Sequence, residues 1–313
     1  MAHRRAGAAD PDGVVVVDKP GGWTSHDVVA RARSRLGCRR AGHAGTLDPG
    51  ATGVLVVGVG RATRLLRFAS ALEKSYTGEL VLGVATSTLD ATGEVVATYD
   101  MAGVTPAEVA EAAARLTGQL LQVPPMVSAL KVGGRRLYSL ARAGIEVERQ
   151  PRRVHVARFA VAAADEPGVY AFEVTCSSGT YVRSLVADLG ASLGGGAHLR
   201  CLRRVAVGRF TLEGAVALED LSAAHLEPPS ALVAHLPALA VDDDVAGALR
   251  HGRVLERRAL KAVGDGPWAL YGPEGGLLAV YERLGRDRAK PAVVLAGPAG
   301  PAAGAGSLGR PWT

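Results

Sequence analysis

One glycine-rich stretch, residues 42–55, restricts what this chain can fold into more than any other. Its sequence is G-H-A-G-T-L-D-P-G-A-T-G-V-L, and its four glycines let the backbone adopt positive φ and approach a ligand closely. Pro49 keeps the preceding Asp48 out of the helical region, so the carboxylate projects from a bend rather than from a helix face. The stretch therefore predicts a loop that presents a single carboxylate.

The surroundings of Asp48 are strongly basic. No other acid lies between Asp27 and Glu73, and eight arginines flank the loop: Arg31, Arg33, Arg35, Arg39, Arg40, Arg61, Arg64 and Arg67. A carboxylate in such a neighbourhood either balances charge or acts on an anionic substrate. Asp-Pro-Gly is also an ordinary turn signal, so this stretch alone leaves both interpretations open.

Composition limits the class of protein. The 313 residues are enough for one large and one small domain, with an ordinary globular content of 48% hydrophobic and 21% charged residues. The longest apolar run is far too short for a bilayer span, and no signal peptide is predicted, so we expect no membrane association. Cys38, Cys176 and Cys201 lack C-x-x-C spacing, which predicts buried thiols in a reducing cytoplasm without a zinc site or disulfides.

The positive charge is concentrated in one segment, residues 131–158. It contains two acids and eight basic residues, an excess equal to the +6 net charge of the whole chain: Lys131, Arg135, Arg136, Arg142, Arg149, Arg152, Arg153 and Arg158. A merely solvated face normally mixes both signs. We therefore predict that this segment contacts a phosphate backbone.

The periodicity of apolar residues predicts alternating strands and helices. Strands are expected at residues 14–17, 54–59, 74–84, 119–123, 154–162 and 169–176, with a hairpin of strands at 268–271 and 277–283. Helices are expected after a cap at Thr24 or Ser25, and at residues 61–68, 105–116, 137–142, 182–189 and 242–250. The turn after the first strand is expected to present Lys19.

Arg183 falls in the first turn of one predicted helix, directly after a strand. A guanidinium cannot easily be buried there without a carboxylate partner, and the helix dipole disfavours a cation at that end. We therefore expect Arg183 to have a specific acidic partner. Tyr76, on the predicted strand 74–84, is by itself best interpreted as a core residue.

Other chemistries find no support in the motifs. The chain has no G-x-x-x-x-G-K-[ST] phosphate loop, and its glycine spacing does not fit the dinucleotide fingerprint. The histidines show neither H-x-x-x-H nor His/Cys pairing, and there is no G-x-S-x-G elbow. His43, in the same glycine-rich stretch as Asp48, is a candidate ligand-facing side chain.

Four blocks together resemble the TruB-type tRNA pseudouridine synthases. They are D-K-P-G-G-W-T-S (18–25), the glycine-rich stretch 42–55, K-S-Y (74–76) and C-S-S-G-T-Y-V-R-S-L-V-A-D-L-G (176–190). Trp23 stands where the family has a Ser or a Met-like residue. The basic segment with P-P-M-V-S-A-L-K is similar to the RNA-gripping thumb of that family. The resemblance covers about residues 14–210.

The resemblance implies an α+β fold, with a mixed, mostly antiparallel sheet, flanking helices and a thumb insertion. It also implies a small β-rich, PUA-like RNA-binding domain at the C-terminal end. The expected organisation is a flexible N-terminus (1–12), a catalytic domain (13–235) with its thumb at about 124–153, the PUA-like domain (236–297) and a disordered tail (298–313).

The implied activity is the isomerisation of uridine to pseudouridine at position 55 in the T-loop of tRNA. The chemistry needs a nucleophile rather than a redox cofactor or a metal, and Asp48 would add to C6 of the uracil or to C1′ of the ribose; both routes remain open. By resemblance, Tyr76 stacks on the flipped base, Arg183 pairs with Asp48, His43 packs against the RNA, and Leu202 lines the dry side of the pocket. Lys19 is a further implied substrate contact.

Two rival functions remain on sequence grounds. One is a synthase that acts as the catalytic subunit of a guide-RNA particle; such proteins usually lack the long thumb. The other is a non-catalytic tRNA-binding or folding factor, which would tolerate loss of Asp48, Tyr76 or Arg183. All three residues are present. Folding activity could coexist with catalysis, and no obligate protein partner is implied.

Overall fold

The computed structural model of the chain describes residues 11–126, 131–132, 135–136, 145 and 147–295, with the backbone alone at 131–132 and 135–136. The chain divides into two compact units, Met1–Leu232 and Val233–Thr313. Predictions for residues 1–10, 137–142 and 298–313 lie outside the described residues. Among the helices that are described, none has both the length and the apolar character needed to span a bilayer.

The first unit is built from short strands interrupted by helices. Its strands are β1 (Gly13–Lys19), β2 (Ala41–His43), β3 (Thr52–Val59), β4 (Lys74–Leu82), β5 (Val84–Thr86), β6 (Val95–Thr98), β7 (Gly118–Gln122), β8 (Lys131–Val132), β9 (Arg135–Arg136), β10 (Arg152–Ala163), β11 (Val169–Cys176), β12 (Ala197–Val207), β13 (Phe210–Thr211) and β14 (Val216–Ala217). Its helices are α1 (Ser25–Arg35), α2 (Leu66–Ser70), α3 (Pro106–Arg115) and α4 (Val182–Ser192), with 3-10 helices at Gly60–Leu65, Ala223–His225 and Pro229–Val233.

Ten of the described strands form one mixed sheet in the order β14-β1-β3-β12-β4-β11-β10-β7, with β2 pairing β3 and β13 pairing β12. The pairs β1–β14 and β3–β12 are parallel, and the others in that order are antiparallel. β1 and β3 carry continuous β-branched and leucine runs because they are buried on both faces. The predicted α+β fold with a mixed, mostly antiparallel sheet is confirmed.

Two helices begin where the sequence predicts. Thr24 caps α1 in a reciprocal capping box with Asp27, and Thr105 caps α3 in the same way with Glu108. Pro106 occupies the first turn of α3, where its missing N–H is not needed. α3 and α4 pack on the β4-β11-β10 side of the sheet and close an apolar core there.

Three sequence-based expectations are wrong. Residues 42–55 are not one loop, because β2 takes up the beginning and β3 the end of the stretch. Residues 61–68 form a 3-10 helix followed by α2 rather than one helix. Cys201 is an exposed thiol, whereas Cys38 and Cys176 are buried. Cys201 follows a register shift in the β12–β4 pairing, which breaks the alternation of inward and outward side chains.

The second unit is β-rich, as expected. Strands β15 (Ala238–Ala240), β16 (Leu255–Glu256), β17 (Trp268–Tyr271), β18 (Leu277–Leu284) and β19 (Arg288–Val294) form a sheet in the order β15-β17-β18-β19-β16, with helix α5 (Asp243–Arg250). The predicted hairpin is confirmed as the antiparallel pair β17–β18. Trp268, Leu270 and Tyr281 are fully buried and form the centre of this unit's core.

Candidate active site

A cavity of about 340 Å³ opens beside the loop that follows β2. Its wall includes four of the side chains singled out from sequence, namely Asp48, Tyr76, Leu202 and Arg183. They come from the loop between β2 and β3, from β4, from β12 and from the first turn of α4. The fold thus brings residues that are up to 154 positions apart in sequence to one cavity.

Hydrogen bonds from the turn before α1 fix the loop of Asp48. The Ser25 hydroxyl accepts from the Leu47 N–H at 2.9 Å and donates to the Leu47 carbonyl at 3.1 Å. The Gly22 N–H donates to the Pro49 carbonyl at 2.9 Å. The loop closes on itself through the Ala51 N–H, which donates to the Asp48 carbonyl. The carboxylate is therefore held on a rigid bend.

Gly53 ends this loop under a strict steric requirement. Its φ is +99°, and a Cβ added there would lie 2.2 Å from the carbonyl oxygen of Arg204. Only glycine satisfies both conditions. The parallel pairing of β3 with β12 therefore brings Arg204 directly behind the loop.

Lys19 is not presented by its turn, and this expectation is wrong. The side chain is fully buried, and its Nζ donates to the carbonyls of Pro20 (2.9 Å), Trp23 (2.6 Å) and Pro49 (3.1 Å). Three acceptors match the three N–H groups of an ammonium, which explains how a charge is tolerated in the interior. Burial lowers the pKa of Lys19 to about 8, against an opposing contribution from Asp48. Lys19 therefore links the turn after β1 to the loop of Asp48.

Arg183 lies against Asp48, with 2.9 Å between Nη2 and Oδ2. The Arg183 side chain is only 4% exposed, whereas that of Asp48 is 47% exposed. Arg183 Nη1 also donates to the Thr88 carbonyl at 3.1 Å and lies 3.5 Å from Asp90 Oδ2. One guanidinium therefore serves two carboxylates, and the partner that the sequence argument required is Asp48 together with Asp90.

Asp90 is a residue that the sequence reasoning missed. Its Oδ1 accepts hydrogen bonds from the Thr88 hydroxyl (2.6 Å), the Thr92 hydroxyl (2.6 Å) and the Thr92 N–H (3.0 Å). A signal was available, because Thr88-Leu89-Asp90 repeats the triplet Thr46-Leu47-Asp48. Leu89 has a φ of +63°, so the backbone of this second bend is strained.

The two carboxylates differ in their proton affinity. Burial raises the pKa of Asp48 above its ordinary value; Arg183 opposes this rise and the charge of Asp90 adds to it. Burial also acts to raise the pKa of Asp90, but its hydrogen bonds to Thr88 and Thr92 outweigh that effect and hold the pKa below the ordinary value. Asp90 thus remains ionised as a fixed counter-charge, while Asp48 is the more basic carboxylate.

Tyr76 is both a core residue and part of the cavity wall. Its side chain packs in the apolar core closed by α3 and α4 and is only 8% exposed. Burial raises the pKa of the Tyr76 hydroxyl, and the charge of the fully buried Arg204 opposes this rise. Arg204 in turn donates from Nε to the Val54 carbonyl (2.7 Å) and from Nη2 to the Gly45 carbonyl (3.0 Å). Arg204 therefore fixes the backbone on both sides of Asp48.

Two further side chains complete the wall around Tyr76. Leu202 packs against the same apolar core and lines the cavity, as the resemblance implied. Lys74 is buried beside it, with Nζ donating to the carbonyls of Ser70 (2.9 Å) and Leu72 (2.7 Å). Burial lowers the pKa of Lys74 to about 8. Lys74 was not anticipated from sequence as a site residue.

His43 does not line this cavity. It lies on β2, and its ring makes an edge contact with His26 at a centroid distance of 5.5 Å. Its Nδ1 is buried without a hydrogen-bond partner among the described residues. Burial, and then the neighbouring His26, lower the pKa of His43 to about 4, so the ring is neutral at pH 7.

The basic segment is described only in part. Arg152 and Arg153 are exposed on β10, which pairs with the edge strand β7. Arg149 is partly buried, and its Nη1 donates to the Pro124 carbonyl at 3.1 Å. Lys131, Arg135 and Arg136 lie on the paired strands β8 and β9, and Arg142 lies outside the described residues.

Comparison with known proteins identifies the family. The profile described as TruB family pseudouridylate synthase (N terminal domain) matches residues 33–182, and the tRNA pseudouridylate synthase B C-terminal domain matches residues 183–237. The tRNA pseudouridine synthase B of Rhodococcus jostii (strain RHA1) is 49% identical over 90% of this chain and 93% of its own length. That of Thermobifida fusca (strain YX) is 47% identical over 91% of this chain and 99% of its own length.

A solved structure agrees with this assignment. The Cbf5 chain of a Cbf5-Nop10-Gar1 complex superposes with a TM-score of 0.69 at 28% identity, covering 86% of this chain and 78% of the other. Both family profiles together span the cavity residues from Asp48 to Leu202. The chain therefore belongs to the TruB family of pseudouridylate synthases, which are isomerases.

Proposed function

We propose that this protein converts uridine to pseudouridine at position 55 in the T-loop of tRNA, with Asp48 as the nucleophile and the target base flipped out of its stack. Relatives with nearly half of their residues identical carry the name tRNA pseudouridine synthase B. The observation that carries the proposal is the half-exposed carboxylate of Asp48, held in the cavity wall by the buried Arg183.

The reaction rearranges bonds without adding or removing atoms. The N1–C1′ bond breaks, the uracil turns, a C5–C1′ bond forms, the hydrogen on C5 leaves as a proton and N1 gains one. Asp48 starts this sequence by adding to C6 of the uracil or to C1′ of the ribose, and is released when the new bond is complete. Its raised pKa makes it a stronger nucleophile than an ordinary carboxylate, provided that it is ionised.

The cavity wall suits a base that has left its stack. Extruding a nucleotide costs a few kcal/mol, and stacking on an aromatic ring returns ~1–3 kcal/mol. Tyr76 offers such a ring, and Leu202 excludes water on another part of the wall. Packing in the apolar core holds the ring in place, so little ordering is needed when the base arrives.

Binding of the tRNA outside the cavity falls to the basic segment and to the second unit. Arg152 and Arg153 are exposed and available to phosphates. Lys131, Arg135, Arg136, Arg142 and Arg149 belong to the same proposed surface. The β-rich second unit acts in this proposal as a PUA-like RNA-binding domain of residues 236–297, and His43 packs against the RNA near the flipped base.

The test is to incubate the purified protein, without guide RNA or partner protein, with an unmodified tRNA carrying tritium at C5 of its uridines. Release of tritium to water reports the loss of the C5 hydrogen, and mapping of pseudouridine locates the product. We expect release from wild-type tRNA and none when position 55 is changed to cytidine. Product at another position, or activity only with an added guide RNA, would contradict the proposal.

Asp48→Asn is the matched variant for the nucleophile. It removes the attacking carboxylate but no contact to a phosphate, so tRNA affinity should stay within a few-fold while tritium release is abolished. Measurable turnover by this variant in a single-turnover experiment would exclude Asp48 as the nucleophile. Retained RNA-folding activity in the same variant would show that a folding role coexists with catalysis.

A further inference from the structure

A shallow groove follows the exposed side of α1 and continues past the end of the helix. The part near the start of the helix includes Trp23 and Arg31, the other part includes Arg33 and Arg39, and both parts share Ser34. We name this feature the α1 groove. It is separate from the cavity of Asp48, because the two have no lining residue in common.

Trp23 gives the groove an exposed aromatic ring on a fixed backbone. The side chain is 39% exposed, which is unusual for so large an apolar group. The Trp23 carbonyl accepts from the buried Lys19 Nζ at 2.6 Å, and the preceding Gly22 N–H donates to the Pro49 carbonyl. The backbone that carries the indole is therefore anchored to the loop of Asp48.

The charge of the groove is positive. Among the described residues, no carboxylate lies within ion-pair distance of Arg31 or Arg33. Asp27 also lines the groove, but its Oδ2 is occupied by the N–H and the hydroxyl of Thr24 in the helix cap. An aromatic face beside unpaired guanidinium groups is the combination that binds an unpaired base together with its phosphate.

We propose that the α1 groove binds the tRNA single strand next to the target uridine, with one unpaired base stacked on Trp23 and an adjacent phosphate on Arg31. This inference rests on the proposed function, because it requires a flipped uridine beside Asp48. Stacking on the outer side of the turn holds the strand open while the uridine occupies the cavity. The anchoring of Trp23 to Pro49 through Lys19 couples this contact to the position of the nucleophile.

The first test measures the affinity of a T-arm stem-loop RNA for three variants. Trp23→Ala should bind roughly 5- to 150-fold more weakly, which is the effect expected from the loss of one base-stacking contact. Trp23→Phe should retain most of the affinity because it keeps an aromatic face. Tyr99→Ala is the matched control, since Tyr99 is 44% exposed, directly follows β6 and does not line the α1 groove, and it should bind like wild type.

Abasic substitution identifies the stacked nucleotide. Each loop nucleotide of the RNA is replaced in turn by an abasic one, and binding is measured with wild type and with Trp23→Ala. At the stacked position the abasic change should weaken wild-type binding but cause no further loss in Trp23→Ala. Additive losses at every position would show that Trp23 stacks on no base, and would overturn the proposal.

Tryptophan fluorescence gives an independent readout. The chain has three tryptophans; Trp268 is fully buried, and Trp312 lies outside the described residues and is changed to Phe in the background protein. Stacking of a base on Trp23 should quench the emission on RNA binding. The quench should disappear in Trp23→Phe, although this variant still binds. An unquenched emission at saturating RNA contradicts stacking.

The phosphate contact is tested by salt dependence. Arg31→Gln should lower the slope of log affinity against log salt by roughly 0.7–0.9, the value for one contact. Arg115→Gln is the control, since Arg115 is also an exposed helix arginine but is paired with Glu111 at 2.8 Å. An unchanged slope for Arg31→Gln would show that Arg31 contacts no phosphate and would contradict this part of the proposal.

The outcomes separate this inference from the proposed function. If wild type converts the T-loop uridine but Trp23→Ala binds with wild-type affinity and a wild-type melting temperature, the α1 groove is not an RNA site and the proposed function stands. If wild type neither binds nor converts the RNA, both proposals are wrong.

Discussion

Arg183 and Asp48 form an asymmetric ion pair. The arginine is 4% exposed and the aspartate 47% exposed, although their charged atoms lie 2.9 Å apart. The cation is fixed in the protein, where its N–H groups also reach the Thr88 carbonyl and Asp90. The carboxylate keeps one side open to the cavity. This arrangement suits the proposed role of Asp48 as the nucleophile, because such a group must be aimed by the protein and still reach a substrate.

Arg183→Lys should leave folding and tRNA affinity close to wild type while the single-turnover rate falls steeply. A lysine keeps the charge but loses the planar fork that holds two carboxylates, and misplacement of a reacting group by an ångström can cost ~100-fold in rate. Arg183→Ala should be slower still. Arg200→Lys, in the exposed pair with Glu166, is the control. A wild-type rate for Arg183→Lys, or a defect that lies wholly in binding, would make Arg183 a phosphate contact instead.

Asp90→Asn should shift the acid limb of the pH–rate profile to lower pH. The negative charge of Asp90 helps to raise the pKa of Asp48, so removing that charge makes Asp48 ionise at lower pH. The plateau rate should also fall, because Arg183 loses its second carboxylate. The measurement is the single-turnover rate against pH, with Glu111→Gln on α3 as the control. A limb that stays in place or moves to higher pH would contradict this coupling.

Tyr76→Phe and Tyr76→Ala should fail in different ways. Phe keeps the ring but removes the polar hydroxyl near the buried Arg204, which should lower the free energy of unfolding. Ala also removes the stacking platform, so its single-turnover rate should fall far below that of Phe while tRNA affinity changes little. Thermal melts and single-turnover rates separate the two effects. Equal rates for both variants would show that the ring serves only the core.

Replacement of Arg142, Arg149, Arg152 and Arg153 by Gln should weaken tRNA binding and flatten its salt dependence. Each lost phosphate contact should lower the slope by roughly 0.7–0.9. Arg149 alone should contribute less than Arg152 or Arg153, because it already donates to the Pro124 carbonyl. Arg115→Gln provides the baseline. An unchanged slope of log affinity against log salt in the fourfold variant would show that these arginines face solvent and do not contact the RNA.

Lys19→Met should destabilise the fold by at least about 1–3 kcal/mol, because three buried carbonyls lose their donor. The difference should grow with pH. The pKa of Lys19 is about 8 in the folded protein against an ordinary 10.5, so between these values the unfolded chain binds more protons and wild-type stability rises. The pKa of Lys74 is lowered in the same way in wild type and in Lys19→Met, so its contribution to the pH dependence cancels in the comparison. Urea unfolding at pH 7 and pH 10 measures the difference in the free energy of unfolding between wild type and Lys19→Met. A difference that does not change with pH would contradict the lowered pKa of Lys19.

Local sequence information was enough for the parts of the site that depend on one bend or one cap. The Asp-Pro turn predicts that the side chain of Asp48 projects from a bend. The place of Arg183 at the start of a helix predicts that it needs a carboxylate partner. Both helix caps, at Thr24 and Thr105, were also predictable from spacing. These features rest on interactions between residues that are close in the chain.

The parts that could not be predicted depend on distant partners. β12 contains several arginines, which obscure the alternation of apolar and polar residues that identifies a strand. Its pairing with β4 also contains two register shifts. Arg204 is buried only because carbonyls of Gly45 and Val54 meet it from 150 or more residues away. The turn was expected to present Lys19, and its burial could not be predicted because its three acceptors, one of them 30 residues away, converge only in the folded chain.

Arg204 also makes the loop of Asp48 depend on a part of the chain that is synthesised late. The Gly45 carbonyl accepts a hydrogen bond from this arginine, which belongs to β12, a strand that ends at Val207. A ribosome-bound nascent chain that has not yet released this strand carries Asp48 without the contact that Arg204 makes to its loop. About two thirds of the polypeptide must therefore emerge before this loop can reach the arrangement that it has in the folded protein.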